Sequence, residues 1–521
     1  MTHRTLDPGR RAVLGALAAA GALGALPAFA AIQPPRFRAD PFVLGVASGS
    51  PAPEGFVLWT RLVDSGIDPA LGVAVRWEVF EDGSPRTIVA SGETEAVAAL
   101  GHAVHVEVAG LKPDRWYGYR FMAGSAVSPV GRTRTLPAPD AVVNRLRFAY
   151  ACCQKWESGY YAAYRHMAAE QLDLVLFLGD YIYEGASRGG VRPHALPTAQ
   201  TLQDYRARYA LHRSDPDLQR MHAACPWLVT WDDHEVENNY ADLRSSIGTR
   251  NFGARRAAGY QAFYEHMPLR AATMVAGLQG LGAGRELRIY GQLNFGKLAR
   301  INVLDDRQYR DTPLCREKQD GPFAQLCSQA PGDGRSLLGV AQEKWLAQSM
   351  GEAARQRIGW NFIAQQTVFT PRNYDQGPGR RFSQDSWDGY PTARERLLAD
   401  LAAQKPANPI LLGGDIHQNW VANVHARPYD VRSPIVASEF CGTSITSPSG
   451  VAPERAAALA KRTPHCLLSN VQDRGYGVIE VQPGQATVNL RVVDDVTNRD
   501  SKAATLATFV VENGRPQIQR A

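Results

Sequence analysis

The pattern of hydrophobic and polar residues changes at about residue 138. Before that point apolar and polar positions alternate, as at Val73, Val75 and Val79, with small or charged residues between them. A period of two residues is typical of half-buried antiparallel strands, because successive side chains point to opposite faces of a sheet. Residues 38–137 are therefore predicted to form a small all-β sandwich.

A second pattern in this region concerns one tyrosine. Leu111-Lys112-Pro113 is followed by the aromatic run Trp116–Phe121. The segment resembles the corner of fibronectin-like sandwiches, in which a tyrosine hydroxyl bonds to the backbone a few residues upstream, and Tyr117 has that position. We expect an immunoglobulin-like sandwich that serves as a packing or spacing module, since it holds no cluster of catalytic residue types.

After the linker Leu136–Pro139, apolar runs alternate with helical patterns. The predicted strands are Leu146–Ala151, Leu172–Leu178, Trp227–Thr230, Arg300–Leu304, Asn361–Ala364 and Pro409–Leu412. The predicted helices are Tyr160–Glu170, Ala254–Tyr264, Val340–Ser349 and Ala393–Gln404. This alternation predicts a layered α/β core, assigned to residues 145–495, with residues 496–521 as a C-terminal tail. Arg310–Arg335 is predicted to be a long functional or mobile loop.

Three acidic clusters follow predicted strands: Gly179–Tyr183, Trp231–Glu235 and Gly413–His417. The carboxyl ends of strands in an open α/β sheet converge on one crevice, so these side chains should meet. Where several acids and imidazoles meet, a metal ion compensates their charge at least cost. The alternative for any single cluster is a turn or a helix cap at the end of a strand.

The candidate ligands fall into two chemical sets. Cys153 lies just beyond the first strand of the α/β core and opens into the same crevice, although a small buried residue is the alternative. Its thiolate, the Asp180 carboxylate, the Tyr183 phenolate and the His417 imidazole form a set that suits trivalent iron. Asp415 and His417 are two residues apart, so an extended backbone would point both to the same side.

The remaining donors are all oxygens. Asp233 and Asp415, with Asp180 free to bridge, favour a hard divalent ion such as calcium or magnesium over zinc. His234, next to Asp233, is predicted to lie beside the metals rather than bind them. There it can donate a proton to a leaving group. The alternative for His234 is a structural histidine bonded to a backbone carbonyl.

Residues 1–30 look like an export signal. Arg10-Arg11 precedes the apolar stretch Ala12–Leu26, and Ala28-Phe29-Ala30 matches a small-x-small cleavage site. Paired arginines are typical of a twin-arginine signal, with an ordinary secretory signal as the alternative. We predict the twin-arginine export machinery as a partner and a periplasmic or secreted location. No transmembrane segment is expected, because no later apolar run has the required length.

Charge and cysteine content narrow the function only slightly. A formal net charge of +6 suits phosphate-bearing substrates, and no basic block with interleaved aromatic residues indicates a specific nucleic-acid site. Seven cysteines are an odd number, so at least one should be free or bound to metal. Cys315 could pair with Cys327, and Cys441 with Cys466. Spacing alone does not decide this.

The three clusters resemble the Gly-Asp-x-x-Tyr, Gly-Asn-His-Glu and Gly-His-x-His blocks of metallophosphoesterases, the purple acid phosphatases in particular. Asp233 stands where that superfamily has Asn, Asp415 where it has His, and Cys153 where it has Asp. These differences are those of the PhoD-type alkaline phosphatases. That group is also similar in the segments Gly179–Glu184, Trp231–Asn239 and Gly442–Ser447, in order, over residues 38 to at least 480.

The resemblance implies a metallophosphoesterase core and a secreted enzyme that hydrolyses phosphomonoesters and phosphodiesters at alkaline pH. Iron(III) would be held by Cys153, Asp180, Tyr183 and His417, and calcium by Asp180, Asp233 and Asp415. A metal-held hydroxide would attack phosphorus in line while His234 assists departure of the alkoxide. By position, the resemblance would also assign Glu237, Asn238 and Asn239 to a second calcium, and Asp305, Asp306 and Arg307 to positions behind the ligands. Asp385 and Asp388 are expected at a helix start.

Two alternatives remain open at this point. One is a phospholipase D-like or teichoic-acid-type phosphodiesterase that uses the same metals. The other is not an enzyme: the sandwich would bind cell wall or another polymer beside a degenerate catalytic domain.

Overall fold

The computed structural model describes residues 37–273, 287–313, 326–327, 334–372, 374 and 382–521. The chain forms two compact units. One consists of Met1–Thr135, Tyr209–Trp227 and Tyr260–Arg288, and the other of Leu136–Arg208, Leu228–Gly259 and Ile289–Ala521. The predicted signal at residues 1–30, the pairing of Cys315 with Cys327 and most of the Arg310–Arg335 loop lie outside the described residues.

The first unit is built from antiparallel strands. They are β1 (Val46–Ala52), β2 (Gly55–Arg61), β3 (Val73–Glu81), β4 (Ile88–Ala96), β5 (Ala103–Val108), β6 (Trp116–Ala123), β7 (Ala126–Val127) and β8 (Gly131–Arg134). One sheet contains β1-β2-β5, and the other has the order β4-β3-β6-β7 with β8 paired to β6. Residues of both sheets, such as Leu58, Val79 and Phe121, share one buried core.

Tyr117 makes the contact expected of a corner tyrosine. The backbone N–H of Lys112 donates to the Tyr117 hydroxyl over 3.2 Å, and Tyr117 is buried. This contact supports the sandwich interpretation of residues 38–137, which otherwise stays a prediction.

The second unit contains the remaining strands. They are β9 (Leu146–Ala151), β10 (Leu174–Phe177), β11 (Trp227–Val229), β12 (Gly291–Phe295), β13 (Ala299–Val303), β14 (Leu326–Cys327), β15 (Trp360–Ala364), β16 (Phe382–Ser383), β17 (Pro409–Gly413), β18 (Asn419–His425), β19 (Ile435–Cys441), β20 (Cys466–Asn470), β21 (Arg474–Val481), β22 (Gln485–Val493), β23 (Ala503–Glu512) and β24 (Arg515–Arg520). One mixed sheet has the order β24-β23-β22-β21-β9-β10-β11, and a second has the order β12-β13-β15-β17-β19-β18-β20. A short pair, β14-β16, is separate.

The helices are α1 (Ala162–Ala168), α2 (Leu202–Arg213), α3 (Pro216–Ala224), α4 (Phe252–His266), α5 (Gly339–Gln356), α6 (Pro391–Gln404) and α7 (Pro453–Lys461). The two sheets of the second unit face each other across a buried core, in which the rings of Phe148 on β9 and Phe362 on β15 lie 5.1 Å apart. Leu346 on α5 and Leu398 on α6 pack with Ile363 and Leu411 of the second sheet in another core. This layering of helices and sheets confirms the α/β class.

The predicted strands and helices of the second unit are present, and most of their ends agree within two residues. The exception is α5, which continues seven residues beyond the predicted end at Ser349, to Gln356. The C-terminal end differs from its prediction. Residues 503–512 and 515–520, expected in a tail, form β23 and β24, and Phe509 and Val511 are buried. Alternate side chains of β23 are buried. Successive side chains of a strand point to opposite faces, so a segment with one apolar face can pair with the edge of a sheet.

The structure contradicts one proposed disulfide. Cys441 and Cys466 are both free thiols. The Cys441 thiol donates to the Gly414 carbonyl over 3.3 Å, and the Cys466 thiol donates to the Leu468 carbonyl over 3.4 Å. Spacing in sequence did not reveal that the two side chains point to different partners. In the described part of the chain, no helix has the length and apolarity needed to span a bilayer.

Candidate metal centre

The predicted ligands come together where four strands of the second unit end. The loops after β9, β10, β11 and β17 carry them, and the loop after β13 adds Arg307. The donor atoms form three sets, and within each set all of them lie within 4.8 Å of one another. The sets are Cys153, Asp180 and His417; Asp180, Asp233 and His234; and Asp232, Asp233 and Asp415. Asp180 belongs to two of the sets. Asp233 also belongs to two of them. Asp180 therefore lies next to both Cys153 and Asp233, and its role as a shared ligand stays a prediction.

Four of these residues have a backbone conformation that is unusual for a non-glycine residue. The φ angles are +58° at Cys153, +57° at Asp180, +64° at Asp415 and +52° at His417. Left-handed conformations cost free energy, and they cluster where a structure constrains functional side chains. The expectation of an extended segment from Asp415 to His417 is therefore wrong. The two side chains belong to different sets of donors.

Close packing of the loops explains one glycine in the motif. Gly179 has φ +106°, and a Cβ atom there would lie 2.4 Å from Cβ of Asp232. The backbone N–H groups of Cys153 and Gln154 donate to the carbonyls of Gly179 and Asp180, both over 3.0 Å. These bonds bring Cys153 next to Asp180.

We call Cys153, Asp180, Tyr183 and His417 the thiol–phenol half of the centre. The Tyr183 hydroxyl donates to Asp180 Oδ2 over 2.8 Å and lies 3.0 Å from His417 Nε2. His417 Nδ1 lies 2.9 Å from the Pro448 carbonyl, to which it can donate, so Nε2 is left to face the other donors. All four donors that were predicted for iron are adjacent.

Burial makes the thiol and the hydroxyl of this half harder to ionise. Burial, and secondarily the neighbouring Asp180 carboxylate, raises the pKa of the Tyr183 hydroxyl well above its ordinary value. Burial, with Cys152 and then Asp180 beside it, likewise raises the pKa of the Cys153 thiol. A cation at this position would favour the ionised forms of both groups. The donor set therefore fits a metal ion of high charge.

We call Asp232, Asp233, Asp385 and Asp415 the carboxylate half. Its centre is the buried guanidinium of Arg307, which pairs through Nε with Asp232. The other nitrogens of Arg307 lie 2.7 Å from Asp385 Oδ1, 3.2 Å from Asp415 Oδ1 and 3.7 Å from Asp233 Oδ2. Arg307 thus faces four carboxylates, and Arg310 pairs with Asp385 as well, over 2.8 Å. The carboxylates still outnumber the arginines, which leaves an excess of negative charge.

Two carboxylate oxygens in this half indicate room for a cation. Asp232 Oδ2 and Asp233 Oδ1 are buried and have no hydrogen-bond partner among the described residues. A buried oxygen without a partner is costly. Burial, followed by the nearby Asp385, raises the pKa of Asp415 to about 7. An oxygen-binding divalent ion would relieve both effects, so these residues fit such an ion.

His234 is held by a carboxylate that the sequence had not singled out. His234 Nδ1 lies 2.6 Å from Glu184 Oε2, and the backbone N–H of Asn238 donates to Glu184 Oε1 over 2.9 Å. Burial opposes the charged imidazole, but Glu184, Asp180 and Asp233 together raise the pKa of His234 well above its ordinary value. The alternative for His234 was a hydrogen bond to a backbone carbonyl. In the structure, Nδ1 contacts the Glu184 carboxylate instead.

Glu235 braces two of the ligand loops. Its carboxylate accepts hydrogen bonds from the backbone N–H groups of Asp180, Tyr181 and Asp232 over 3.2, 2.5 and 2.8 Å. The Glu235 side chain therefore fixes the backbone on which Asp180 and Asp232 are mounted.

Arg474 braces the opposite side. Its guanidinium donates to the carbonyls of His417 and Ser447 over 2.7 and 3.1 Å. Ser447 Oγ in turn lies 2.7 Å from the Tyr183 hydroxyl.

The structure changes the roles of several residues. Asp232, Glu184, Arg307 and Asp385 are part of the site, although Arg307 was expected behind the ligands and Asp385 at a helix start. Glu237, considered for a second calcium, is instead engaged by Arg255 and by Ser245, Ser246 and Thr249. A carboxylate with both oxygens so occupied has no position left for a metal. The only sequence signal for Asp232 and Glu184 was that they adjoin Asp233 and Tyr183.

Comparison with known proteins gives a consistent result. The family model described as PhoD-like phosphatase matches residues 148–490, and that of the PhoD-like phosphatase N-terminal domain matches residues 28–137. Alkaline phosphatase D of Bacillus subtilis (strain 168) is 43% identical over 507 residues, which is 95% of this chain and 84% of that protein. A solved structure described as PhoD is 42% identical, covers 94% of this chain and 93% of its own, and superposes with a TM-score of 0.86.

Proposed function

The chain belongs to the PhoD-like phosphatase family, and from this premise we propose that it hydrolyses phosphomonoesters and phosphodiesters with iron(III) and calcium. Its similarity to alkaline phosphatase D makes it a phosphoric ester hydrolase. The observation that carries the proposal is the adjacency of two donor sets of different chemistry that share Asp180.

The thiol–phenol half is proposed to hold the iron, through Cys153, Asp180, Tyr183 and His417. Thiolate and phenolate are donors that a trivalent ion neutralises well, and imidazole suits iron. The raised pKa values of the Cys153 thiol and the Tyr183 hydroxyl support the need for a strong cation here.

The carboxylate half is proposed to hold calcium, through Asp233 and Asp415, with Asp180 as the shared ligand. Every available donor is an oxygen, as calcium prefers. Arg307 keeps Asp233 and Asp415 in position from one side. The buried Asp233 Oδ1 has no partner among the described residues and is free for an ion.

His234 is the proposed proton donor. Glu184 orients the imidazole through Nδ1, and the ion pair raises the pKa of His234, which favours the protonated form. Nε2–H is then available for the leaving oxygen of the ester. The bound ions would supply positive charge for the phosphate oxygens and generate the attacking nucleophile from water. Arg307 and Glu235 hold the ligand loops, so that little reorganisation accompanies the reaction.

We further propose export through the twin-arginine route and a periplasmic or secreted location, on the evidence of Arg10-Arg11 and the cleavage motif Ala28-Phe29-Ala30. The immunoglobulin-like sandwich would serve as a packing module. A signal-sequence variant, Arg10→Lys with Arg11→Lys, should retain the protein in the cytoplasm of its host. Export of this variant at the wild-type level would contradict the twin-arginine assignment.

The alternatives differ in substrate or in kind. A phospholipase D-like or teichoic-acid-type diesterase could use the same residues. A polymer-binding protein with a degenerate catalytic domain is disfavoured, because all six predicted ligands are present and adjacent.

The decisive experiment combines elemental analysis with turnover. We expect iron and calcium in the native protein, loss of activity on calcium chelation, and its return with calcium but not with zinc. p-Nitrophenyl phosphate and its bis ester should both be hydrolysed. Protein that is active without iron would overturn the iron assignment, and protein that hydrolyses neither ester would overturn the activity.

His234→Ala tests the proton donor separately. Metal content should stay near the wild-type level, while the rate falls by about 10²–10⁴-fold on alkyl esters. The loss should be smaller on p-nitrophenyl esters, since p-nitrophenolate leaves without a proton. Equal losses on both substrates would leave His234 with an electrostatic role only. Loss of metal would make it a ligand.

A further inference from the structure

One cation at the edge of the centre has no assigned role. Lys155 lies two residues after Cys153, and its Nζ is 5.7 Å from the centre of the Tyr183 ring. That distance is within the range of a cation–π contact. The same ring carries the hydroxyl that contacts Asp180 and His417. The Lys155 ammonium therefore stands beside the thiol–phenol half.

The backbone of Lys155 is fixed by the loop that also holds the site. Its N–H donates to Ser447 Oγ over 3.3 Å, and its carbonyl accepts from Thr446 Oγ1 over 2.7 Å. Ser447 also contacts the Tyr183 hydroxyl and the Cys153 carbonyl. These bonds fix the backbone of Lys155 beside Cys153 and Tyr183, so its side chain starts next to the centre.

Lys155 differs from the other cations of the centre in what it pairs with. Arg307 faces four carboxylates, and His234 is paired with Glu184. Lys155 is partly exposed, and among the described residues no carboxylate lies within 4.0 Å of its Nζ. Holding a flexible lysine next to a cluster of acids without pairing it leaves its three N–H donors for an anion from solution.

We propose that Lys155 binds a phosphate oxygen of the substrate and thereby favours phosphomonoesters, which carry two negative charges, over phosphodiesters, which carry one. This inference rests on the proposed function and adds a residue that sets its specificity. The cation contributes binding to the charged group and does not touch the bond that breaks, so KM should respond more than kcat.

The test compares Lys155→Gln, Lys155→Arg and the control Lys344→Gln, which changes an exposed lysine of α5. Each metal-loaded protein is assayed on p-nitrophenyl phosphate and bis(p-nitrophenyl) phosphate, which share one leaving group. Lys155→Gln should raise KM for the monoester and the inhibition constant of inorganic phosphate by about tenfold, as for a lost charge-assisted hydrogen bond. The KM for the diester should change by less than about threefold.

Lys155→Arg should preserve most of the monoester preference, and Lys344→Gln should behave as wild type. Iron content and the visible absorption band should be the same in all four proteins. Equal changes on both esters in Lys155→Gln would overturn the proposal while leaving the hydrolase activity intact. A shifted absorption band with an unchanged ratio of the two esters would assign Lys155 to Tyr183 instead of the substrate, and would also overturn it.

Discussion

The two halves of the centre differ in how their acidic groups are compensated. In the thiol–phenol half, Tyr183, Asp180 and His417 contact one another, and no arginine or lysine among the described residues forms an ion pair with Asp180. In the carboxylate half, a buried arginine already compensates part of the charge. The first half thus has Lys155 and His234 near it but, in the described part of the chain, no arginine paired with its carboxylate, whereas the second has a fixed guanidinium among its carboxylates.

This difference gives a physical reason for the proposal of two ions of unequal charge. A fixed guanidinium repels a nearby cation, so a divalent ion costs less beside Arg307 than a trivalent ion would. Where no such charge is fixed, thiolate and phenolate favour the ion of higher charge. Substitutions that act on one half, or on Asp180 between them, can therefore separate the two contributions.

The largest effect is expected when both halves lose their shared ligand. Asp180→Asn keeps the side-chain shape, and asparagine tolerates the left-handed backbone. Both iron and calcium content should fall, and activity should fall by about 1,000-fold or more, since each ion contributes several kcal/mol to the transition state. Elemental analysis and steady-state rates measure this. Loss of only one metal would contradict a shared role for Asp180.

The next effect concerns the fixed charge in the carboxylate half. Arg307→Leu removes the guanidinium from the buried Asp232 and Asp233 and from the partly exposed Asp415, while Asp385 keeps its pair with Arg310. The metal-free protein should therefore lose about 3–5 kcal/mol of unfolding free energy. Added calcium should recover more stability in this variant than in the wild type. Denaturant unfolding with and without calcium gives both numbers. A variant as stable as the wild type without metal would show that Arg307 does not carry the charge compensation.

A matched pair of substitutions should separate the two halves. Tyr183→Phe should alter or abolish the visible band of the iron-loaded protein and leave calcium affinity unchanged. Asp415→Asn should weaken calcium binding by about 10–100-fold and leave the band in place. Absorption spectra and calcium titration test the pair. If each variant changed both properties equally, the two halves would be one site.

The smallest effect concerns the pH dependence of His234. Glu184 raises the pKa of His234, so Glu184→Gln should lower that pKa. The imidazolium is then lost at lower pH, and the alkaline limb of kcat on an alkyl phosphate should move down by about one pH unit. The shift should be absent in His234→Ala. An unchanged limb would assign that ionisation to another group.

The sequence predicted the fold class and the ligands more fully than the surroundings of the ligands. Apolar runs of the right length identified the strands of the α/β unit, because buried strands cannot tolerate polar residues without partners. The six proposed ligands were identifiable as candidates because carboxylates, a thiol, a phenol and an imidazole at strand ends have few uses in packing. The C-terminal strands were missed, since their alternation of apolar and polar residues is weak evidence until a sheet edge is known.

What the sequence determined was therefore the chemistry of the centre: which donors exist, and that they follow strands. Tertiary structure alone decided how they are compensated and oriented. Arg307 contacts Asp232, which is 75 residues away in the sequence, and Asp415, which is 108 residues away. Glu184 contacts His234, which is 50 residues away. Such contacts cannot be predicted from local sequence, because the spacing of two residues does not show that the ends of different strands lie close together. The arginine and the carboxylates neutralise one another only because the folded chain brings these strand ends together.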